Sequence, residues 1–510
     1  MVRRLLVFGA GAAWASIAWA ADGRQAPEIP RTWDDEAVAT HEIPLADPVG
    51  SPKHAPSDYY YRIPVRPIYK GYPVYAPGRE PAGYLDWLQH QDPVVLWDDE
   101  GHAPPLDTDA DWVRAGRTVF EAPTANFLYY RIEDLRKPEW LERTGAPVAS
   151  DGTVPVFQYV IRAKGTVEVG SIACAFCHTR VMPDGSVLKG AQGNFPVQRA
   201  FAYGLRRAYA AAADKAAFER QLRLFVKSLH AAPWMKPDPE ARVEAMSAEE
   251  IASVWDAVPP GTSLRHRSNS FLAVQVPDLI GVKDRLYLDR TGLENHRSIG
   301  DLMRYAAMNQ GGDSLASYTG FIPAGAPGFT DRPAPATRSR YSDEQLYALA
   351  RYLYSLEPPP NPNKLDGAAV RGRAIFEREH CASCHTPPLY TNNKLTPAVG
   401  FEVPTAHWKA YDILPVSVGT DASLTLRTRR GTGYYKVPSL KGLWYRGMFP
   451  HDGSCATLED WFDPARLRED YVPTGFKGYG VRTRAVPGHE FGLGLSPDDK
   501  RALIAFLRTL

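Results

Sequence analysis

Cys174-Ala175-Phe176-Cys177-His178 and Cys381-Ala382-Ser383-Cys384-His385 are the two stretches on which this chain turns. Both follow Cys-x-x-Cys-His. At that spacing two thiols form thioethers to porphyrin vinyl groups, and the adjoining His ligates the iron. Two such pentapeptides imply two covalently bound haem c groups. One would be held by Cys174, Cys177 and His178, the other by Cys381, Cys384 and His385. Structural zinc and a thioredoxin-like pair are the competing readings. A zinc site would want a second Cys/His pair at ligand spacing nearby, and neither pentapeptide has one.

The start of the chain is consistent with export. Arg3 and Arg4 form a short basic region, Leu5 to Ile17 is apolar, and Ala18-Trp19-Ala20 offers small residues where a signal peptidase reads. A signal peptide over 1–20, cleaved after Ala20, is expected. The apolar run is shorter than the ~20 residues of a membrane span, and an uncleaved N-terminal anchor is the alternative. No other stretch has the character of a span, so none is expected after cleavage. Haem attachment of this kind takes place outside the cytoplasm, which makes a periplasmic or secreted location the expectation.

Composition narrows the rest. The chain has 510 residues, enough for two or three domains, with 59 Lys plus Arg against 58 Asp plus Glu. There is no strong basic field, so nucleic acid is not an expected partner. Of the five Cys, four belong to the pentapeptides. The fifth, Cys455, is expected as a small buried residue, and no disulfide is expected.

An internal repeat frames the two motifs. Gly116-Arg117-Thr118-Val119-Phe120-Glu121 recurs as Gly372-Arg373-Ala374-Ile375-Phe376-Glu377, and Tyr341 to Leu356 recurs without gaps as Leu495 to Leu510. The second pair reads as helices: Ser342 and Ser496 are N-cap candidates, and acidic residues fill each first turn. Leu346, Leu349, Leu353 and Leu356 share one face, as do Leu503, Phe506, Leu507 and Leu510. Each copy thus has an opening helix with Gly and Phe, a pentapeptide, and a closing amphipathic helix. That is the plan of a class of cytochrome c domains. The Gly would let the two helices cross closely, and the Phe would pack near the haem edge.

In the first copy Gly116 lies far ahead of Cys174, so something is inserted, including a strand predicted over Val154–Ile161. Glu357 to Asn363 is Pro-rich and reads as a stiff linker. The expected fold is mainly α, with two cytochrome c-type haem domains in tandem, long irregular insertions and a Pro/Tyr-rich N-terminal arm. The boundaries are 21–110 for the arm, 111–357 for the first haem domain, 358–365 for the linker and 366–510 for the second haem domain.

The sixth position on each iron decides function: filled by His or Met it carries electrons, open it binds oxygen or peroxide. For the second haem the candidates are His407, His451, His489 and Met448. For the first, the local imidazoles are His230, His266 and His296. A helix predicted from Ile299 to Met308, with Tyr305, Asn309, Gln310 and Phe321 nearby, and the Gly311–Gly325 loop would form the distal wall.

Tyr435 to Trp444, followed by Phe449-Pro450-His451-Asp452-Gly453-Ser454 and Thr457-Leu458-Glu459-Asp460, resembles the C-terminal haem domain of the bacterial di-haem cytochrome c peroxidase and MauG superfamily, over roughly residues 366–510. Gly488-His489-Glu490-Phe491-Gly492 and the long interval between the pentapeptides look more like the rubber oxygenase subgroup. The resemblance implies a second haem with two axial His, His489 opposite His385. It also implies a catalytic first haem on His178, open or weakly held on its far side. The His451 segment is implied to be structural, and Met448 to be packing. There are departures. The peroxidases' Met after that segment is missing, and their distal Glu has no counterpart that aligns. A bridging Trp would have to be Trp234, Trp255 or Trp408, or a Tyr in its place.

Two functions follow. In the first the chain is an oxidoreductase that activates oxygen or peroxide at the first haem, with electron transfer through the second. Its partner would be a small redox protein or an apolar small-molecule or polymer substrate. In the second it is a pure electron carrier with both haems six-coordinate.

Overall fold

The computed structural model describes residues 27–123, 125–126, 130–171, 173–264, 268–323 and 339–510. The signal peptide expected over 1–20 lies outside the described residues, as does His266. The fold is helix-rich with several small antiparallel sheets. Among the described residues no helix is long and apolar enough to cross a membrane.

Two crossed helix pairs organise it. The first opening helix (Asp109–Glu121) is started by a Thr108/Asp111 capping box, and the first closing helix (Asp343–Tyr354) by a Ser342/Gln345 capping box. The second opening helix (Gly367–Arg378) is capped by Asp366, and the second closing helix (Pro497–Arg508) by Ser496, with Pro at its first position. Both predicted Ser caps therefore accept a backbone N–H as expected. The closing helices bury the apolar faces seen in the sequence, Leu346, Leu349 and Leu353 in one, Leu503, Phe506 and Leu507 in the other.

The repeated glycines explain how each pair crosses. A methyl group placed on Gly116 would sit 1.9 Å from the Ala348 carbonyl oxygen, and one on Gly372 would sit 1.9 Å from that of Ala502. Ala348 and Ala502 occupy the same position of the closing repeat. Backbone touches backbone at both crossings, and only hydrogen fits between them. The repeated Phe follows: Phe120 packs on Tyr352 with ring centroids 5.3 Å apart, and Phe376 on Phe506 at 5.4 Å.

The predicted strand over 154–161 forms as Thr153–Ala163, within a four-stranded antiparallel sheet ordered Gly71–Tyr75, Thr153–Ala163, Thr166–Ser171, Ala125–Asn126. The region 21–110, expected to be irregular, carries short helices and strands over its described part. Gly71–Tyr75 supplies an edge of the sheet, and Pro52–His54 pairs with Ala316–Tyr318. Its aromatics anchor it: Trp33 stacks on Tyr60 at 4.7 Å and donates its indole N–H to the Ala55 carbonyl at 2.7 Å. Residues 356–366 are free of regular structure, as the prolines require.

The two halves are tied by buried arginines. Arg429, 1% exposed, donates to the carbonyls of Lys227, Ser228 and Ala231, capping the C-terminal end of the helix Lys215–His230. Arg430 pairs with Glu42, whose carboxylate also meets His54.

The glycine crossing is directly testable. Gly372→Val should lower stability by about 3 kcal/mol in urea unfolding, because the helix pair must part. Gly367→Ala, at a helix start with open space around it, should be neutral or stabilising by up to ~1 kcal/mol.

Candidate functional site

Each pentapeptide folds as one tight helical turn. Cys174–Cys177 is a single α-turn, Cys381–Ser383 a single 3₁₀-turn. In both, the His backbone N–H donates to the carbonyl of the first Cys, at 3.0 Å for His178 and 2.9 Å for His385. Residues i, i+3 and i+4 lie on one side of such a turn, so two thiols and an imidazole point the same way. The first turn is held from behind by Phe176, buried among Phe157 and Phe195 with centroids 5.6 and 5.0 Å away.

Both imidazoles are oriented by the same device. His178 Nδ1 lies 3.0 Å from the Pro277 carbonyl, and His385 Nδ1 lies 3.1 Å from the Pro438 carbonyl and 3.2 Å from that of Tyr390. A carbonyl only accepts, so each Nδ1 carries the proton and each Nε2 keeps its lone pair. That is the tautomer and aim of a metal-ligating His. Burial pushes the pKa of each ring down to about 4, so both are neutral at pH 7.

The two prolines sit in a second repeat that the sequence displays. Val276-Pro277-Asp278-Leu279-Ile280-Gly281, followed by Arg285, matches Val437-Pro438-Ser439-Leu440-Lys441-Gly442, followed by Arg446. Only the second copy lies within the stretch that carries the family resemblance. The signal was the Val-Pro-x-Leu-x-Gly spacing after each pentapeptide.

His489 faces His385 across an apolar cavity lined also by Cys381, Cys384, Phe376 and Leu507. The two ring centroids are 6.2 Å apart. Two imidazoles on opposite faces of one metal, each bound at ~2.0–2.1 Å, would have centroids about 6.3 Å apart. The His489 ring is kept neutral by burial, its pKa down to about 4, and its Nδ1 is buried without a hydrogen-bond partner. Its backbone is held in a left-handed conformation at φ 48°, which favours Gly. Two features impose this. A methyl on the preceding Gly488 would lie 2.4 Å from the Thr420 backbone nitrogen, so the loop presses against another strand of chain. Arg466, fully buried, donates to the carbonyls of Val486 (2.5 Å), Gly488 (2.9 Å) and His489 (2.9 Å), while its guanidinium covers Trp461. Arg466 is a positioning residue that sequence reasoning did not find, since nothing local ties it to a loop 20 residues on.

The other candidates have partners of their own. His407 shares a hydrogen bond with the Tyr434 hydroxyl at 2.7 Å. His451 packs tilted against Tyr435 with ring centroids 4.4 Å apart, and its Nε2 lies 3.1 Å from the Tyr435 hydroxyl. Met448 packs against glycines 261, 453 and 475. His296, weighed as a sixth ligand for the first haem, uses both ring nitrogens: Nδ1 at 2.7 Å from the Arg285 carbonyl and Nε2 at 2.7 Å from the Tyr354 hydroxyl. That corrects the expectation that it could ligate. His230 is buried beside Arg429, which with burial holds its pKa down to about 3.

The helix predicted over 299–308 forms as Ile299–Gly311, and Gln310 near its end brings Nε2 to 3.9 Å from Cys174 Sγ. The Gly311–Gly325 loop is described only to 323. The Trp candidates make contacts of their own. Trp234 stacks on Tyr318, Trp255 packs by Phe201, and Trp408 is exposed. Tyr287 does line the small cavity there, and Tyr445 donates its hydroxyl to Asp278 at 2.7 Å.

The thiols bear on the competing chemistry. Burial pushes Cys174 up to about 11, Cys177 to about 12 and Cys381 to about 11. A redox-active pair needs the opposite shift, toward thiolate. Among the described residues no three Cys, His, Asp or Glu side chains converge as a zinc site would need. Cys455 is fully buried, as expected of a packing residue.

No protein-family model matches the chain. An uncharacterised protein of Sinorhizobium fredii, y4iM, is 26% identical over 152 residues, 24% of this chain and 35% of that protein. The chain thus spans about a third of the length of the curated relative it matches. Among solved structures, hydrazine synthase of Kuenenia stuttgartiensis aligns at a TM-score of 0.29 and 17% identity, over 50% of this chain and 79% of that one. The diheme peroxidase BthA of Burkholderia thailandensis aligns at 0.25 and 20%, over 50% and 75%. A MauG-like protein associated with microbial copper homeostasis aligns at 0.22 and 16%, over 37% and 61%. Overlap at this level decides neither fold nor function, which rest on the residues themselves.

Arg466→Ala should cost about 3 kcal/mol or more by stranding buried carbonyls, and hydrogen exchange should show faster amides over 486–490. Arg466→Lys, without the planar fork, should restore little. The pH dependence has a defined sign. In the unfolded chain the histidines protonate near pH 6.5, whereas folded His178, His385 and His489 do so only near pH 4. In the haem-free chain these three histidines should therefore contribute no pH dependence above pH 6.5 and should lower stability progressively from 6.5 to 4, read as the loss of urea midpoint that His→Gln variants at these positions no longer show.

Proposed function

We propose that this chain is a periplasmic or secreted di-haem c-type oxidoreductase that activates oxygen or peroxide at the haem of His178, with electron transfer through the haem of His385. The observation that carries this reading is the duplicated geometry: two Cys-x-x-Cys-His turns, each with its His held by a proline carbonyl from the same repeated segment. When bound, the porphyrin irons supply electron transfer and, at an open sixth position, binding of oxygen or peroxide. Cys174 and Cys177, and Cys381 and Cys384, would carry the thioethers. His178 and His385 would ligate from below, and His489 would close the second site from above.

The two sites differ, and that difference favours an enzyme over a carrier. The loop that delivers His489 is clamped by Arg466 and by the Gly488 approach, which suits a permanent ligand and an electron-transfer role. Near His178 the local imidazole His296 is engaged in two hydrogen bonds. A small redox protein as electron donor, or an apolar small molecule or polymer as substrate, fits this assignment. The sequence resemblance to the peroxidase and MauG superfamily, carried by the Tyr435–Asp460 motifs, points the same way, with the rubber oxygenase subgroup as the finer reading.

The test is spectroscopic. Protein made with a haem-ligation system should have the mass of the mature chain plus two haems. Oxidised protein should show one high-spin and one low-spin haem, the high-spin signal changing with cyanide and, on reduction, with carbon monoxide. Two low-spin haems that bind neither would establish the carrier instead. His489→Ala should convert the low-spin haem and leave ligand binding at the other intact, and His178→Ala should abolish turnover.

A further inference from the structure

A small cavity lies between the two histidine anchors, lined by Pro277 and Pro438 themselves. Four cations line it: Arg285, Arg290, Lys436 and Arg446. The one carboxylate among its lining residues is Asp278. Arg290, Lys436 and Arg446 also line the larger cavity between His385 and His489. Arg290 therefore lines both cavities, the small one beside Pro277, whose carbonyl anchors His178, and the larger one between His385 and His489.

The cluster is poorly balanced for a buried place. Arg290 is 9% exposed, and the Arg446 side chain 7%. Their donors meet mostly backbone carbonyls. Arg290 reaches those of Gln275 (3.2 Å) and Val276 (3.3 Å), Arg446 that of Ser439 (2.9 Å), and Lys436 that of Tyr287 (3.3 Å). Arg285 donates to the carbonyls of Asp278 and Ile280. Asp278 is shared: its carboxylate accepts from Tyr445 at 2.7 Å and lies 3.9 Å from Arg446 Nε. Carbonyls satisfy the N–H groups but leave the charge, and an uncompensated buried ion costs several kcal/mol. Like charges this close add to that cost: burial, then Arg446 and Arg285, bring Arg290 down to about 9. Arg285, Arg290 and Arg446 outnumber the carboxylates their charges meet, Asp278 and Asp284, and such an excess calls for anionic groups; the fork of Arg suits carboxylates.

We propose that Arg285, Arg290, Lys436 and Arg446 form a carboxylate-binding cluster that holds the propionate edges of both porphyrins at the junction of the two halves, with Arg290 serving both. This rests on the di-haem reading above. The cluster has an electrical consequence. A cation beside a haem edge favours the reduced iron, which carries one positive charge fewer, and so raises the potential. Asp278 opposes it.

The test uses purified holoprotein: wild type, Arg290→Gln, Arg290→Lys and Asp278→Asn. Mass and haem content come first, and a wild type without two haems would overturn the di-haem reading rather than the cluster alone. Both haems are then titrated spectroelectrochemically, with and without inorganic phosphate. With both haems attached, Arg290→Gln should lower both potentials, Arg290→Lys should restore them in part, and Asp278→Asn should raise them. Unchanged potentials in Arg290→Gln with both haems in place would overturn the proposal. So would a saturable shift of the wild-type potentials on adding phosphate, because the cluster would then hold a solvent anion. If Arg290→Gln does not accumulate, Lys436→Met should lower the potential of the second haem, and no shift there would overturn the proposal equally.

Discussion

The hydrogen bond from a buried imidazole N–H to a proline carbonyl governs both halves of this molecule. It selects one tautomer, fixes the ring plane and leaves the other nitrogen free to act as a ligand. Such a bond contributes only about 1 kcal/mol to stability. Its importance is directional: without it a buried neutral His could turn its proton to either side. Pro277 and Pro438 are suited to the task because each sits in an extended Val-Pro-x-Leu stretch whose carbonyl projects toward the pentapeptide turn.

Around that bond the same architecture is built twice and then made unequal. Gly116 and Gly372 let their helices touch closing helices backbone to backbone, at equivalent alanines. The second half stays short, and its His385 acquires a facing partner on a clamped loop. In the first half a four-stranded sheet and several helices, among them Val197–Ala211, Lys215–His230 and Ile299–Gly311, intervene or follow, and the N-terminal stretch is woven into the sheet. One plan thus yields a site with a facing imidazole and a differently walled one, and the proposed division of labour rests on that asymmetry.

Charge is distributed with the same economy. The chain as a whole is nearly neutral. Several buried or partly buried cations nevertheless lie where the halves meet, with Arg429 and Arg430 binding one half to the other and Arg285, Arg290 and Arg446 gathered beside the histidine anchors. Buried arginines are tolerated only where carbonyls, carboxylates or a bound anion satisfy them. Their location therefore marks where the molecule expects an anionic partner or needs a rigid joint.

The amino-acid sequence alone determined the features that depend on neighbours along the chain. The pentapeptide spacing, the Ser342 and Ser496 caps, the apolar faces of the closing helices and the strand near 154–161 all arise from contacts within a few residues, where periodicity and capping chemistry suffice. The crossing role of Gly116 and Gly372 was also legible, because the repeat set each glycine against a matching helix. Tertiary structure decided what depends on distant parts meeting. His489 opposite His385 was implied by the motif resemblance, but Arg466 behind it, the spent nitrogens of His296 and the cation cluster between Pro277 and Pro438 join residues tens to hundreds of positions apart. No local pattern encodes such meetings, because which side chains share a cavity is fixed by packing in three dimensions.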